Sequence, residues 1–160
     1  MESFQQLIIE AKRAYETADH LAFVTYPMIK EPKLIITIIT HINNALQNAS
    51  QALLEYERLY KRISYIPGEF MTKIYMLRQS IFPRYQMQDY SNLIIEVKNI
   101  VNSHKSSNME FIKRDKYFIY SNSYSNVASI NMNNIKDYID KTRDFVDKVA
   151  LVMEHGRTPR

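Results

Sequence analysis

The sequence predicts a mainly α protein, an antiparallel bundle of about five helices with one small β-hairpin before the last helix. The first observation is a heptad over residues 35–63, in which apolar or small residues recur at alternating steps of three and four. This spacing is typical of a long helix packed along another, and central alanines let the two backbones come close. The second observation is that 160 residues contain only two glycines and five prolines, which favours helices over a many-turned β fold. The heptad residues are Ile35, Ile38, Ile42, Ala45, Ala49, Ala52, Tyr56, Leu59 and Ile63.

Helices 1 and 2 are predicted to form an antiparallel pair. Ser3 and Gln6 have the spacing of a capping box, so helix 1 begins there, and Pro27 ends it near Thr25 because a proline disfavours helix in the preceding residue. Pro32 suits the first turn of helix 2, which runs to about Ile63. A short connection over 26–31 and matching apolar spacing favour the pairing. The inward face of helix 1 is predicted as Phe4, Ile8, Ala11, Tyr15, Ala18 and Ala22.

Helices 3 and 4 follow a break at Pro67-Gly68. Helix 3 is predicted to end at Pro83, because proline cannot continue the hydrogen-bond ladder of a helix. Helix 4 is predicted from about Asp89 to His104, with apolar residues on its inward face. The polar run 103–108 is predicted as a loop, and residues 109–114 as a single helical turn.

Residues 116–130 depart from the helical pattern. A Tyr-Phe-Ile-Tyr run and a Val-Ala-Ser-Ile run flank a polar Ser/Asn segment, which predicts a hairpin that must lie against the helices. Tyr120 and Tyr124 could offer a contact surface there, although a plain turn explains them equally well. Asn131 or Asn133 is predicted to cap helix 5, which ends at Gly156. The chain is therefore interpreted as a single domain over 1–155 with a disordered tail over 156–160.

Composition and charge exclude several function classes. Without cysteine, the chain has no disulfide, no thiolate metal site and no cysteine nucleophile. No glycine-rich phosphate loop, zinc-protease helix or serine elbow occurs, so we expect no cofactor and no metal. No signal segment or membrane span is expected, which predicts a cytoplasmic protein without a membrane partner. The net charge of +4 is below that of a dedicated nucleic-acid binder.

A basic, tyrosine-rich segment over 56–85 is the best binding candidate in the sequence. It holds six basic residues against two acidic ones, a local charge of +4. Arginine and tyrosine together can hold phosphates and stack on bases, as recognition of single-stranded RNA requires. The alternative is that the tyrosines belong to the core and the charges to a solvated face. The candidate residues for nucleic-acid or partner binding are Arg58, Lys61, Arg62, Tyr65, Arg78, Arg84 and Tyr85.

Arg13 and His20 are the residues nominated for chemistry. Six residues lie between them, so they occupy one face of helix 1 about 10 Å apart along the axis. This spacing resembles the Arg-x(4–6)-His motif of HEPN domains, small helical bundles that include RNA-cutting enzymes. The resemblance implies metal-independent RNA cleavage, with both side chains acting on the RNA backbone across a dimer. In that family the motif lies late in the domain, whereas here it lies in helix 1. The alternative is a solvated helix face.

The chain as a whole resembles uncharacterised small helical proteins of reduced-genome (DPANN-type) archaea. The resemblance rests on Ala18–Leu21 with Val24–Pro27, on Tyr56–Ile63 and on Arg114–Lys116. It implies a helical fold and no known activity. The leading hypothesis is thus a non-enzymatic helical-bundle interaction module, with a protein partner, a homodimer or single-stranded RNA as the bound species. The alternative is an HEPN-like RNA-binding or RNA-cutting domain.

Overall fold

The computed structural model describes residues 2–121 and 127–155. In these residues five helices form the bundle, and a small antiparallel sheet precedes the last of them, which confirms the mainly α fold class. The elements are α1 (Ser3–His20, continued by a π-helical turn Leu21–Thr25 and an α-helical turn Tyr26–Ile29), α2 (Lys33–Leu59), α3 (Phe70–Met76, continued by a π-helical turn Leu77–Ile81 and an α-helical turn Phe82–Tyr85), α4 (Tyr90–Lys105), β1 (Ser107–Lys113), β2 (Lys116–Ser121), β3 (Val127–Asn131) and α5 (Met132–His155).

The heptad forms the contact between α1 and α2. Its members from Ile35 to Tyr56 are all buried, and the alanines at its centre have no exposed surface. On α1 the buried residues are Phe4, Ala11, Ala18 and Ala22, while Ile8 and Tyr15 are half-buried. Small residues on both helices therefore allow the backbones to come close, as the spacing predicts.

The last heptad positions do not follow the prediction. Helix α2 ends at Leu59 rather than Ile63, and the Leu59 side chain is half exposed. Lys61 has a left-handed φ of 59°, its N–H bonds the Arg58 carbonyl, and the Arg62 N–H bonds the Glu57 carbonyl. These two bonds are the Schellman motif that commonly stops a helix.

Helix α2 is the central element of the bundle. It contacts α1 on one side and α4 and α5 on others, so a second row of its apolar residues is also buried. That second row was outside the heptad and comprises Ile36, Ile39, Leu46, Leu53 and Leu54.

The same backbone device appears where α1 and α3 end. In each helix a π-helical turn precedes a Tyr-Pro or Phe-Pro pair, and the Tyr26 and Phe82 N–H groups bond the carbonyls of Leu21 and Leu77. The wider turn accommodates the proline, so both helices continue past the predicted ends at Thr25 and Pro83. Lys30 and Gln86, both in the left-handed conformation, then stop them.

The sheet has three strands in the order β1-β2-β3 rather than a single hairpin. Residues 109–114, predicted as a helical turn, belong instead to β1 and the turn after it, because Phe111 pairs with Phe118 and stacks on it. At the start of α5, Asn131 and Asn134 each accept a hydrogen bond from the other's backbone N–H, as predicted for Asn131. Tyr124, Gly156 and the 156–160 tail lie outside the described residues. At the other terminus, Glu2 rather than Ser3 begins the capping box.

Candidate functional site

Arg13 and His20 lie exposed on α1, on the side away from α2. Thr17, between them, donates its hydroxyl to the Arg13 carbonyl over 2.9 Å. Asp19, next to the histidine, pairs with Arg143 of α5 over 3.3 Å. The described residues form five surface cavities whose linings include neither Arg13 nor His20. The pair therefore shares a helix face, as its spacing predicts, and lines none of these five cavities.

The basic, tyrosine-rich segment is organised around Glu57, a carboxylate with no exposed surface. Its Oε2 accepts a 2.7 Å hydrogen bond from Arg84 Nη1 and lies 3.5 Å from Arg62 Nη1. The Schellman motif at the end of α2 positions Arg62, and the Pro83-containing turn positions Arg84. Since a buried carboxylate needs a cation, the two arginines serve the fold here. We call Glu57, Arg62, Arg84 and Tyr85 the Glu57 cluster.

Aromatic rings complete the Glu57 cluster. The Arg62 guanidinium lies 5.8 Å from the Tyr56 ring centroid and 5.4 Å from that of Tyr60. Arg62 Nη1 also donates to the Tyr85 hydroxyl over 3.4 Å. Burial, and then the hydrogen bond and charge of Glu57, raise the pKa of Tyr85 to about 12. The cluster is thus an internally bonded network with part of each arginine in solvent.

The remaining candidates of this segment are dispersed. Arg78 bonds the Ser91 hydroxyl over 3.2 Å and the Asn92 amide oxygen over 3.4 Å, which ties α3 to α4. Arg58, Lys61 and Tyr65 are exposed near the end of α2. The structure therefore brings Arg62, Arg84 and Tyr85 together and leaves Arg78 apart from them.

The start of α2 lies about 36 Å along the helix from Glu57. Near it, the tip of α1 exposes four large apolar side chains. Met28 and Ile29 are 81% and 63% exposed, and Phe23 and Val24 are 45% and 46% exposed. All four lie within seven residues of helical backbone. We call these four residues the apolar tip.

Basic side chains surround the apolar tip. Lys136 of α5 lies 5.3 Å from the centroid of the Phe23 ring, and Lys30 and Lys33, one and four residues after Ile29, are both exposed. Glu31 is the one acidic residue between positions 21 and 33. The surface combines exposed apolar area with positive charge, which is the character of an interaction site.

Sequence reasoning missed the apolar tip because helix 1 was expected to end near Thr25, between its two halves. One signal was present. Phe23 and Val24 are outside the inward set of helix 1, and Met28 and Ile29 follow a proline, so none of them had a predicted core partner.

The β-sheet is held on α4 by a polar contact. His104 Nδ1, at the end of α4, hydrogen-bonds Glu110 Oε1 of β1, and the Tyr117 hydroxyl of β2 donates to Glu110 Oε2 over 2.9 Å. Burial, followed by the hydrogen bond to Glu110, raises the pKa of Tyr117 to about 12. Because one carboxylate is shared by a helix and two strands, these groups fix the sheet in place.

Comparison with models of protein families, with curated proteins and with solved structures found no match to this chain. Within residues 2–121 and 127–155, no group of three or more histidine or carboxylate side chains is placed to hold a metal ion. None of the helices described for this chain has both the length and the apolar character needed to cross a membrane. Function must therefore be argued from the surfaces themselves.

Proposed function

We propose that this protein is a non-enzymatic interaction module that docks a protein partner through the apolar tip. The observation that carries the proposal is the exposure of Met28 and Ile29 beside Phe23 and Val24, in helical backbone held by the bundle. Methionine adapts its shape to a partner, and contiguous exposed apolar residues are uncommon on a surface without an interaction role.

The charges around the tip indicate the chemistry of the partner. A two-fold axis through the tip would bring two sets of Lys30, Lys33 and Lys136 into one interface, so a second copy of the chain is disfavoured. A partner surface with an apolar centre and carboxylates at its rim would complement them. We therefore assign the tip to an acidic protein partner rather than to a homodimer.

The HEPN-like alternative has less support. It requires Arg13 and His20 to face a polar cleft, and the cavities described for this chain are lined by other residues. Arg62 and Arg84, which an RNA-binding segment would use, are engaged with Glu57.

Affinity capture from extracts of the source cells tests the proposal. The immobilised wild-type chain is compared with the double variant Met28→Glu, Ile29→Glu and with Met71→Glu, each with and without nuclease treatment. Met71 is the matched control, because it is a half-exposed methionine on α3, distant in sequence from the tip. We expect the wild type and Met71→Glu to retain the same acidic protein, nuclease to have no effect, and the double variant to lose it.

Retention of that protein by the double variant would contradict the proposal. So would capture that nuclease abolishes, which would favour the RNA alternative. Metal-independent RNA cleavage lost in His20→Ala, with the fold intact, would establish that alternative directly.

A further inference from the structure

A cavity of about 410 Å³ lies beside the apolar tip, where three parts of the chain meet. Tyr26 and Lys30 come from the end of α1, Arg114 and Lys116 from the β1–β2 turn, and Asn131 and Asn133 from the start of α5. Its size is within the range of about 300–1,000 Å³ that is typical of small-molecule sites. We call it the basic cavity.

The cations of the basic cavity form no ion pair with any residue that the structure describes. Among the described residues, Lys30, Arg114 and Lys116 form no ion pair, whereas Arg62, Arg84, Lys141 and Arg143 each pair with a carboxylate. Asp115 is the one acidic residue in the lining, so three positive charges face a single negative one.

The strand register adds to this imbalance. Lys113 and Lys116 lie directly opposite each other across the β1–β2 turn, a like-charge arrangement that costs stability. Lys116 is also paired with Asn131 across β2 and β3, which holds it at the start of α5. The strand register thus places Lys113 next to Lys116 of the cavity lining, and neither forms an ion pair with a described residue.

The backbone N–H groups at the start of α5 are not the source of the positive charge in the basic cavity. Its capping box already occupies two backbone N–H groups, because Asn134 N–H donates to Asn131 Oδ1 and Asn131 N–H donates to Asn134 Oδ1. Three side-chain cations from two separate segments supply the positive charge.

We propose that the basic cavity binds a small phosphomonoester. The guanidinium of Arg114 can hold two phosphate oxygens at once, and Lys30 and Lys116 add compact charges around them. The side-chain amide of Asn133 can donate a further hydrogen bond. The cavity extends beyond these groups to the half-buried Tyr26, whose ring offers a surface for the organic part of the ligand. This inference does not rest on the proposed docking at the apolar tip.

Titration followed by ¹H–¹⁵N NMR tests the proposal on the full chain. The probes are adenosine monophosphate, inorganic phosphate, adenosine without phosphate, and a short single-stranded RNA. We expect adenosine monophosphate to shift the amide signals of Lys30, Arg114, Lys116 and Asn133, inorganic phosphate to shift the same signals more weakly, and adenosine to leave them unchanged. We expect RNA to bind no more tightly than adenosine monophosphate.

Two charge variants separate a site from general attraction. Arg114→Gln with Lys116→Gln is expected to weaken adenosine monophosphate binding by about tenfold or more, because charge-assisted hydrogen bonds are lost. Lys105→Gln with Lys148→Gln, two exposed lysines of α4 and α5 outside the cavity lining, also removes two charges and is expected to leave binding unchanged. Unaltered far-UV circular dichroism shows that the variants are folded.

Three results would overturn the proposal. The first is the absence of signal shifts at the cavity residues with millimolar adenosine monophosphate. The second is equal weakening by Lys105→Gln with Lys148→Gln, which would reduce the effect to net charge. The third is RNA binding at these residues far tighter than binding of the mononucleotide, which would assign the cavity to an RNA backbone instead.

Discussion

At one end of the bundle Arg62 and Arg84 contact the buried carboxylate of Glu57, whereas at the other end Lys30, Arg114 and Lys116 line a cavity and form no ion pair within residues 2–121 and 127–155. The cations of the first end are held by the core, and those of the second are left to the solvent. Local sequence charge is therefore a poor guide to a binding surface, because a buried group of opposite charge can already be paired with it.

The ends of α1 and α3 repeat this contrast with the same backbone. Each has a π-helical turn, an aromatic-proline pair and a left-handed final residue. In α3 the aromatic residue Phe82 is fully buried and packs edge-to-face on Phe145, with ring centroids 6.0 Å apart. In α1 the equivalent Tyr26 is only half-buried, and the same turn exposes Met28 and Ile29. The same backbone arrangement therefore buries an aromatic side chain in α3 and exposes apolar side chains in α1.

The largest expected effect comes from truncating the anchor of α3. Phe82→Ala should lower the free energy of unfolding by about 3–5 kcal/mol, because it leaves a cavity against Phe145. Met28→Ala, at the equivalent turn of α1, should change it by no more than about 0.5 kcal/mol. Equilibrium urea unfolding measures both. A loss at Met28 comparable to that at Phe82 would make the tip part of the core and remove the contrast.

The next largest effect on stability concerns the packing contact between α1 and α2. Ala49 is fully buried between α1 and α2, so Ala49→Leu should overpack the contact and cost about 1–3 kcal/mol. A melting temperature equal to that of the wild type would contradict close packing at the centre of the heptad. Asn44→Leu, on the exposed side of the same helix, is the control and should have little effect.

A smaller effect concerns pH at the Glu57 end. The pKa of Tyr85 is raised to about 12 by burial and by Glu57, against about 10 in the unfolded chain. Between these values the unfolded state loses the phenol proton first, so this contribution to stability is complete below pH 10 and is lost as the pH rises towards 12. Tyr85→Phe should make the loss of stability between pH 10 and 11.5 shallower. An identical pH dependence in both proteins would contradict the assigned environment of Tyr85.

The helical bundle could be predicted because periodicity is a local property. The alternation of three and four from Ile35 to Tyr56 determines one face of α2, and Ala11, Ala18 and Ala22 of α1 match it in the structure. The Schellman stop at Lys61 could not be read from that pattern, since a lysine carries no signal for a left-handed φ. The π-helical turns before Pro27 and Pro83 could not be predicted from the sequence either, because a helix usually ends before a proline.

The candidate surfaces were harder to predict because they depend on tertiary partners. Arg62, Arg84 and Tyr85 were predicted as binding residues and lie together in the structure, yet nothing in the sequence marks Glu57 as a buried carboxylate between them. Lys30 and Lys116 are 86 positions apart in the sequence and line the same cavity. Their proximity could be predicted only if β1 had been recognised as a strand. Residues 109–114 were predicted as helix, which concealed the turn that carries Arg114.

The most direct test of the contrast between the two ends is to remove one cation from each and to measure urea unfolding at low ionic strength. Arg84→Gln should lower the free energy of unfolding by about 1–3 kcal/mol, because the buried Glu57 loses its 2.7 Å charged hydrogen bond. Lys116→Gln should leave stability unchanged or raise it by up to about 0.5 kcal/mol, since it relieves repulsion with Lys113. A loss in Lys116→Gln as large as that in Arg84→Gln would mean that both ends use their cations for folding, and would contradict the account.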